Sequence, residues 1–256
     1  MTRAQVSLGI VATAAGITVA TACAWLFAFG GLEAVASPED AANRRPATVQ
    51  EEQAAESAIL TIGDLPAGWA ASPPDDDKDE DPGFQFSDRC AMLDGDPLPG
   101  EIAEAESDDL SGPLRQKVNS EASVFSNDEM AGDAFARRTN VWSACTEEME
   151  SAFTEVLQRS LQMDGVTVGA DELGVVFERG TAPDVGEESA MFRLTAIFPR
   201  NDQLMAFGVD FISYHHGRVV TGLVYTSFGA PPDPEDELQL ARLAANKLRA
   251  ADSALP

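Results

Sequence analysis

A run without one charged side chain, from Ala4 to Leu32, constrains this chain more than any other feature. Only Arg3 and the free amino terminus carry charge before it, and every acidic residue follows it. A helix needs about 20 apolar residues to cross the hydrocarbon layer of a membrane, and this run exceeds that. Its core reads Val6, Leu8, Ile10, Val11, Ile17 and Val19, then Ala-Trp-Leu-Phe-Ala-Phe from Ala24 to Phe29. Residues 1–33 therefore read as a transmembrane signal anchor or signal peptide, 34–47 as a tether, and 48–254 as one soluble domain.

Three fates compete for the leader. It can stay in the bilayer as an anchor, be cleaved after Ala36 at the Ala34-Val35-Ala36 site, or be lipidated at Cys23. The apolar core of a cleaved signal runs about 7–15 residues, so length favours the anchor. Lipidation fits less well, because Ala24 to Phe29 continue the apolar run where a polar tether is usual. Arg3 favours a cytoplasmic amino terminus, while Arg44 and Arg45 pull mildly the other way. The reading is a single-pass protein of the cell membrane, bound to it through residues 4–32, with its domain extracytoplasmic.

The formal net charge of −26 falls on the soluble part. Such a surface repels nucleic acid and anionic headgroups, so no nucleic-acid partner is expected. Cys90 and Cys145 are the only cysteines behind the leader. Export favours a disulfide between them over two buried free thiols, a bridge expected to stabilise by roughly 4 kcal/mol through loop-closure entropy. The only histidines are His215 and His216, which gives no support to a Cys/His zinc site. The acidic block Pro73 to Pro82 reads as a solvated loop swollen by its own repulsion. It lacks the spaced ligands and central glycine of an EF-hand loop, so neither a metal nor a cofactor is expected.

Along the domain, Thr48-Val49-Gln50-Glu51 is a capping-box pattern that opens a helix to about Leu60. Pro66 and Gly68 form a turn anchored by Trp69. Gly95 to Ser111 is a second acidic stretch interrupted by prolines. Val118 to Phe125 suits a strand, and Ser126 to Glu129 is a second capping box. The helix behind it carries Met130, Ala134, Val141, Cys145 and Met149 as a buried stripe, with Trp142 a turn from Cys145. Phe153 to Leu161 extends that helix or forms a strand, and Thr167 to Arg179 holds one or two strands. Phe192, Leu194, Ala196 and Phe198 alternate with Arg193 and Thr195, as a half-buried strand requires. Met205, Phe207, Val209 and Phe211 share one face of the next strand, with turns at Gly186 to Glu188, Asn201-Asp202 and His215 to Gly217. Arg218 to Phe228 completes an antiparallel meander. Asp233 then caps a helix with Pro234 at its first position. Leu240, Ala244, Leu248 and Ala251 form its apolar stripe, and Lys247 and Arg249 complement its carboxyl-terminal dipole.

This order of parts resembles a broad group of actinobacterial envelope proteins with an extracytoplasmic sensor-like domain. The group includes the external domain of a mycobacterial serine/threonine kinase and many uncharacterised lipoproteins. The matching pieces are Ala58-Ile59-Leu60-Thr61, Asp64-Leu65-Pro66-Ala67-Gly68-Trp69, Trp142-Ser143-Ala144-Cys145 and Gly186-Glu187-Glu188-Ser189. The strand holding Arg193, the Gly217-Arg218-Val219-Val220 turn and the Ala-rich last helix complete them. The resemblance implies an α/β sandwich of an antiparallel sheet and helices, often disulfide-bonded, with a cleft. The chain carries neither a glycine-rich loop nor a His-Arg-Asp motif, so kinase activity does not carry over.

The fold class expected is α+β: an N-terminal transmembrane helix, then one α/β sandwich of an antiparallel sheet packed with helices. No catalytic residues are expected, since the histidines fall in a turn and no G-x-S-x-G elbow is present. The chain reads as a non-enzymatic binding or sensing module, with an interaction subunit of an envelope complex as the alternative and an envelope hydrolase behind both. An unknown small ligand or envelope protein is the expected partner. Trp69, Trp142, Phe207 and Phe211 either line a groove between sheet and helices or fill an ordinary core.

Overall fold

The computed structural model describes residues 45–73, 87, 90, 98–113, 115–163, 166, 168–169, 172–185, 188–200, 203–229 and 232–256. The leader, most of the tether, the acidic block beyond Pro73 and the turns at Gly186-Glu187 and Asn201-Asp202 lie outside the described residues. Among the described residues no helix is long and apolar enough to cross a membrane.

Helix α1 (Val49–Ala58) starts at the expected capping box. The Thr48 hydroxyl accepts the Glu51 N–H, and the Glu51 carboxylate accepts the Thr48 N–H at 3.0 Å. These bonds satisfy donors that a helix start leaves open. A single 3-10 turn (Ile62–Asp64) follows, and Gly68 turns the chain with φ +103.

Eight strands build one sheet: β1 (Ala70–Ser72), β2 (Glu101–Glu106), β3 (Asp109–Ser111), β4 (Lys117–Phe125), β5 (Gly174–Arg179), β6 (Glu188–Arg200), β7 (Gln203–His216) and β8 (Val219–Phe228). The order is β1-β3-β4-β8-β7-β6-β5, and every pairing is antiparallel. Strands β2 and β3 share one edge of β4, β2 along Glu121 to Phe125 and β3 along Lys117 and Val118. The acidic stretch before Ser111 is thus partly sheet. Small and apolar Ala103 and Ala105 alternate there with exposed Glu104 and Glu106, and pairing with β4 fixes the conformation that their propensity does not.

Helices α2 (Asp128–Ala144) and α3 (Thr146–Met163) cover one face, and α1 with α4 (Pro234–Ser253) cover the other. The sandwich therefore has three layers. Phe207 to Tyr214 of β7 are buried without a break, as a central strand covered on both faces must be. Strand β6 alternates as expected, with Phe192, Leu194, Ala196 and Phe198 buried and Arg193, Thr195 and Ile197 less so, and α4 reaches the second face at Arg193.

Several local expectations are corrected. Asn127, not Ser126, caps α2, its side chain accepting the Met130 N–H at 2.9 Å. Met130 is 40% exposed and leaves the stripe, which runs through Ala131, Ala134 and Phe135. The helix stops at Cys145 and restarts at Thr146, so the Phe153 to Leu161 segment is helical. One described strand, β5, occupies the region from Thr167 to Arg179. His215 and His216 end β7 rather than forming the turn, which is the two-residue loop Gly217-Arg218 with Gly217 at φ +55. Lys247 and Arg249 lie short of the last turn of α4, where they bind Asp64 and the Val185 carbonyl.

Candidate functional site

The sheet register sets Arg193 of β6 opposite Asp210 of β7, and Asp210 opposite Tyr225 of β8. Cross-strand partners share a face, and here that face lies under the start of α4. Asp233 and Pro234 fix where α4 begins, the Asp233 side chain accepting the Glu235 N–H at 2.8 Å. One turn later Glu237 points to the sheet.

Arg193 donates through Nε to Asp210 Oδ1 at 2.6 Å and through Nη2 to Asp210 Oδ2 at 2.8 Å. The same Nη2 donates to Glu237 Oε2 at 2.7 Å. Asp210 is fully buried and Glu237 nearly so. Burial pushes the Glu237 carboxyl up to about 7, with the Asp210 charge and hydrogen bond adding to it and Arg193 offsetting only part. Beside this cluster, Gln116 Nε2 donates to Tyr225 Oη at 3.0 Å and to Asp236 Oδ2 at 2.8 Å. Burial, helped by the Asp236 charge, raises the Tyr225 phenol to about 12. Burial and the Glu237 charge raise the Tyr214 phenol as well, and its hydroxyl has no hydrogen-bond partner among the described residues. One guanidinium thus faces two buried carboxyls. Such a set can hold a proton between them and respond to its loss.

The residues expected to line a groove divide between the two layers. The Trp142 ring meets Phe192 and Phe211 edge-on, with centroids 5.2 and 5.8 Å apart. Phe207 packs on Phe228 at 4.9 Å in the same layer. Trp69 lies in the opposite layer, where a Cβ on Gly112 would sit 3.0 Å from its ring. The structure brings three of the four onto one side of the sheet and sets Trp69 apart.

The Cys90–Cys145 disulfide is present, with Cα atoms 6.0 Å apart and both residues buried. Cys145 ends α2, donating its N–H to the Val141 carbonyl at 2.9 Å. Ser87 is clipped to α3 nearby, its N–H and hydroxyl donating to Glu148 at 3.0 and 2.7 Å. Among the described residues no group of three or more His, Cys, Asp or Glu side chains is placed to hold a metal.

Beyond the start of α4 the same sheet face is open. Val176, Ile197 and Leu204, on β5, β6 and β7, are 49%, 45% and 78% exposed. Their register partners Thr195, Ala206 and Pro199 complete one strip on that face.

The period-two pattern turns Arg193 away from the core, Glu237 belongs with Glu235 and Asp236 to an acidic first turn that complements the helix dipole, and Asp210 was passed over. The available signal was a charge inside each of two long apolar strands.

An eight-stranded antiparallel sheet between two helical layers defines an α+β domain. No family model matches the chain, and no curated protein matches it. Similar solved structures include the extracellular domain of PknH from Mycobacterium tuberculosis, at 12% identity and a TM-score of 0.43 over 82% of this chain and 99% of that one. They also include LpqN of the same organism, described as involved in cell envelope biogenesis, at 11% identity and a TM-score of 0.26 over 74% and 85% of the two chains.

Proposed function

We propose that this chain is an extracytoplasmic domain of the cell envelope, held to the membrane through residues 4–32, and that it binds or senses rather than catalyses. The observation that carries the reading is the buried Cys90–Cys145 disulfide. Such bonds persist in oxidising compartments and are rare in the cytosol. The uncharged run ahead of the domain supplies the route out, and the net charge of −26 suits a solvated surface that nucleic acid avoids. The ligand is a small molecule or an envelope protein.

The open strip of Val176, Ile197 and Leu204 favours a second reading, an interaction subunit of an envelope complex. Apolar side chains grouped on one exposed face are common where proteins meet.

Protease treatment of intact cells tests the placement. The domain is expected to be digested while a cytosolic protein survives, and protection of both until lysis contradicts it. Leu204→Lys separates the two readings. Loss of co-purifying envelope proteins supports the interaction subunit, and an unchanged set supports the stand-alone module.

A further inference from the structure

We infer that the first two turns of α4 form a proton-operated latch on the sheet, closed while Glu237 holds a proton beside Asp210 and loosened when that proton is lost. The inference holds wherever the domain resides, because it rests on geometry inside the fold.

The latch contacts are polar and concentrated at one end of the helix. Asp210 Oδ2 and Glu237 Oε2 lie 2.8 and 2.7 Å from the same guanidinium nitrogen of Arg193, which sets the two carboxyl groups side by side. With one proton between them, the set is a neutral acid, a carboxylate and a guanidinium, and all its short contacts are favourable. Without that proton, two buried carboxylates face one cation, and like charges at this separation repel strongly in a dry site. Nearby groups do not relieve this. Tyr214, buried on the same face of β7, is a neutral phenol, and Tyr225 of β8 is neutral and already paired with Gln116. Asp233 and Asp236 on α4 add negative charge, as does Glu178 of β5, opposite Arg193 in the register.

The other end of α4 is held separately. Leu240, Ala244 and Leu248 are buried against the sheet and α1, and Lys247 pairs with Asp64 at 3.0 Å. The strain of ionisation therefore falls on Asp233 to Leu240, and the remainder stays docked. The direction is fixed by linkage. The closed form binds the extra proton, so rising pH favours the open form, by at most about tenfold per pH unit for one proton. His216, 3.8 Å from Asp252, lies at the far end of α4, outside the segment that is followed.

Amide hydrogen exchange followed by mass spectrometry, corrected for the intrinsic rate, tests this between pH 5.5 and 8.5. Protection over Asp233 to Leu240 is expected to fall on the order of tenfold across this range, while residues 241–253 stay constant. Glu237→Gln, which keeps a neutral side chain there at every pH, is expected to give a flat profile. Asp210→Asn removes the same repulsion from the other partner and is expected to do likewise. A flat wild-type profile, or a pH dependence that persists in either variant, overturns the latch. Carboxyl NMR of the unmodified protein needs no variant to fold: an ionisation of Glu237 in the ordinary carboxylate range overturns it equally.

Discussion

Arg218, in the loop between β7 and β8, places its Nη2 2.7 Å from Oε1 of Glu51 on α1, across 167 positions of sequence. Its Nε also donates to the Phe125 carbonyl at 2.9 Å, and Arg45 grips the same carboxylate from the tether side. One loop residue therefore ties α1, β4 and the central hairpin together. Glu51 is both the reciprocal member of the α1 capping box and the anion of a buried ion cluster. The Arg45 hydrogen bond, opposed by burial and reinforced by Thr48 and Arg218, holds the Glu51 carboxyl well below the usual carboxylate range.

Glu51→Gln is expected to lower unfolding free energy at pH 7 by about 3 kcal/mol, since it leaves Arg218 without its buried partner. The sign of the pH effect follows from the depressed value. The contribution of Glu51 is complete above its ordinary value, near 4.5, and is lost as pH falls toward the folded-state value. Urea unfolding at pH 7 and pH 3 is expected to show wild type and variant converging in acid. A gap that is constant with pH counts against an ionised Glu51.

Arg193→Ala is expected to cost about 3–5 kcal/mol in denaturant unfolding, the usual penalty for leaving a buried charge uncompensated. Arg193→Lys is expected to recover little, because one ammonium cannot reproduce two parallel bonds to Asp210 and a third to Glu237. Full rescue by lysine speaks against the two-pronged geometry.

Replacing Cys90 and Cys145 together by serine removes a bridge spanning 55 positions. Loop-closure entropy sets the loss at roughly 4 kcal/mol, and the buried setting of both residues adds the cost of placing hydroxyls in a core. Calorimetry in the presence and absence of reductant is expected to shift the wild type down and leave the variant unmoved.

Gly217→Ala puts a side chain on backbone at φ +55, and its Cβ would collide with the Asp252 carboxylate that accepts the Arg218 N–H. A loss of about 1–3 kcal/mol is expected, read as a lower Tm. Adding Asp252→Ala is expected to recover the clash but not the strain, so the double variant remains below wild type.

The helices were legible where their ends carry chemistry. Thr48 with Glu51 and Asp233 with Pro234 announce α1 and α4 before any packing is known. The apolar alternation of Phe192 to Phe198 and Met205 to Phe211 likewise announces β6 and β7. What stayed hidden depends on partners distant in sequence. Strands β2 and β3 hold too many acids to declare themselves, and β4 makes them strands. The polar residues of β6 look solvated, yet Arg193 is polar because Asp210 and Glu237 meet it from another strand and a helix. A period of two reports alternation, not what covers the second face. Trp69 and Trp142 both read as lining one groove or filling one core, and only the topology shows that they sit on opposite sides of the sheet.

Thiol trapping in intact cells tests the placement of the domain most directly. Protein denatured in excess alkylating reagent straight from the cell is expected to carry no label at Cys90 or Cys145 until it is reduced, and then two. Immediate labelling of both positions, with no change after reduction, would contradict an exported, oxidised domain.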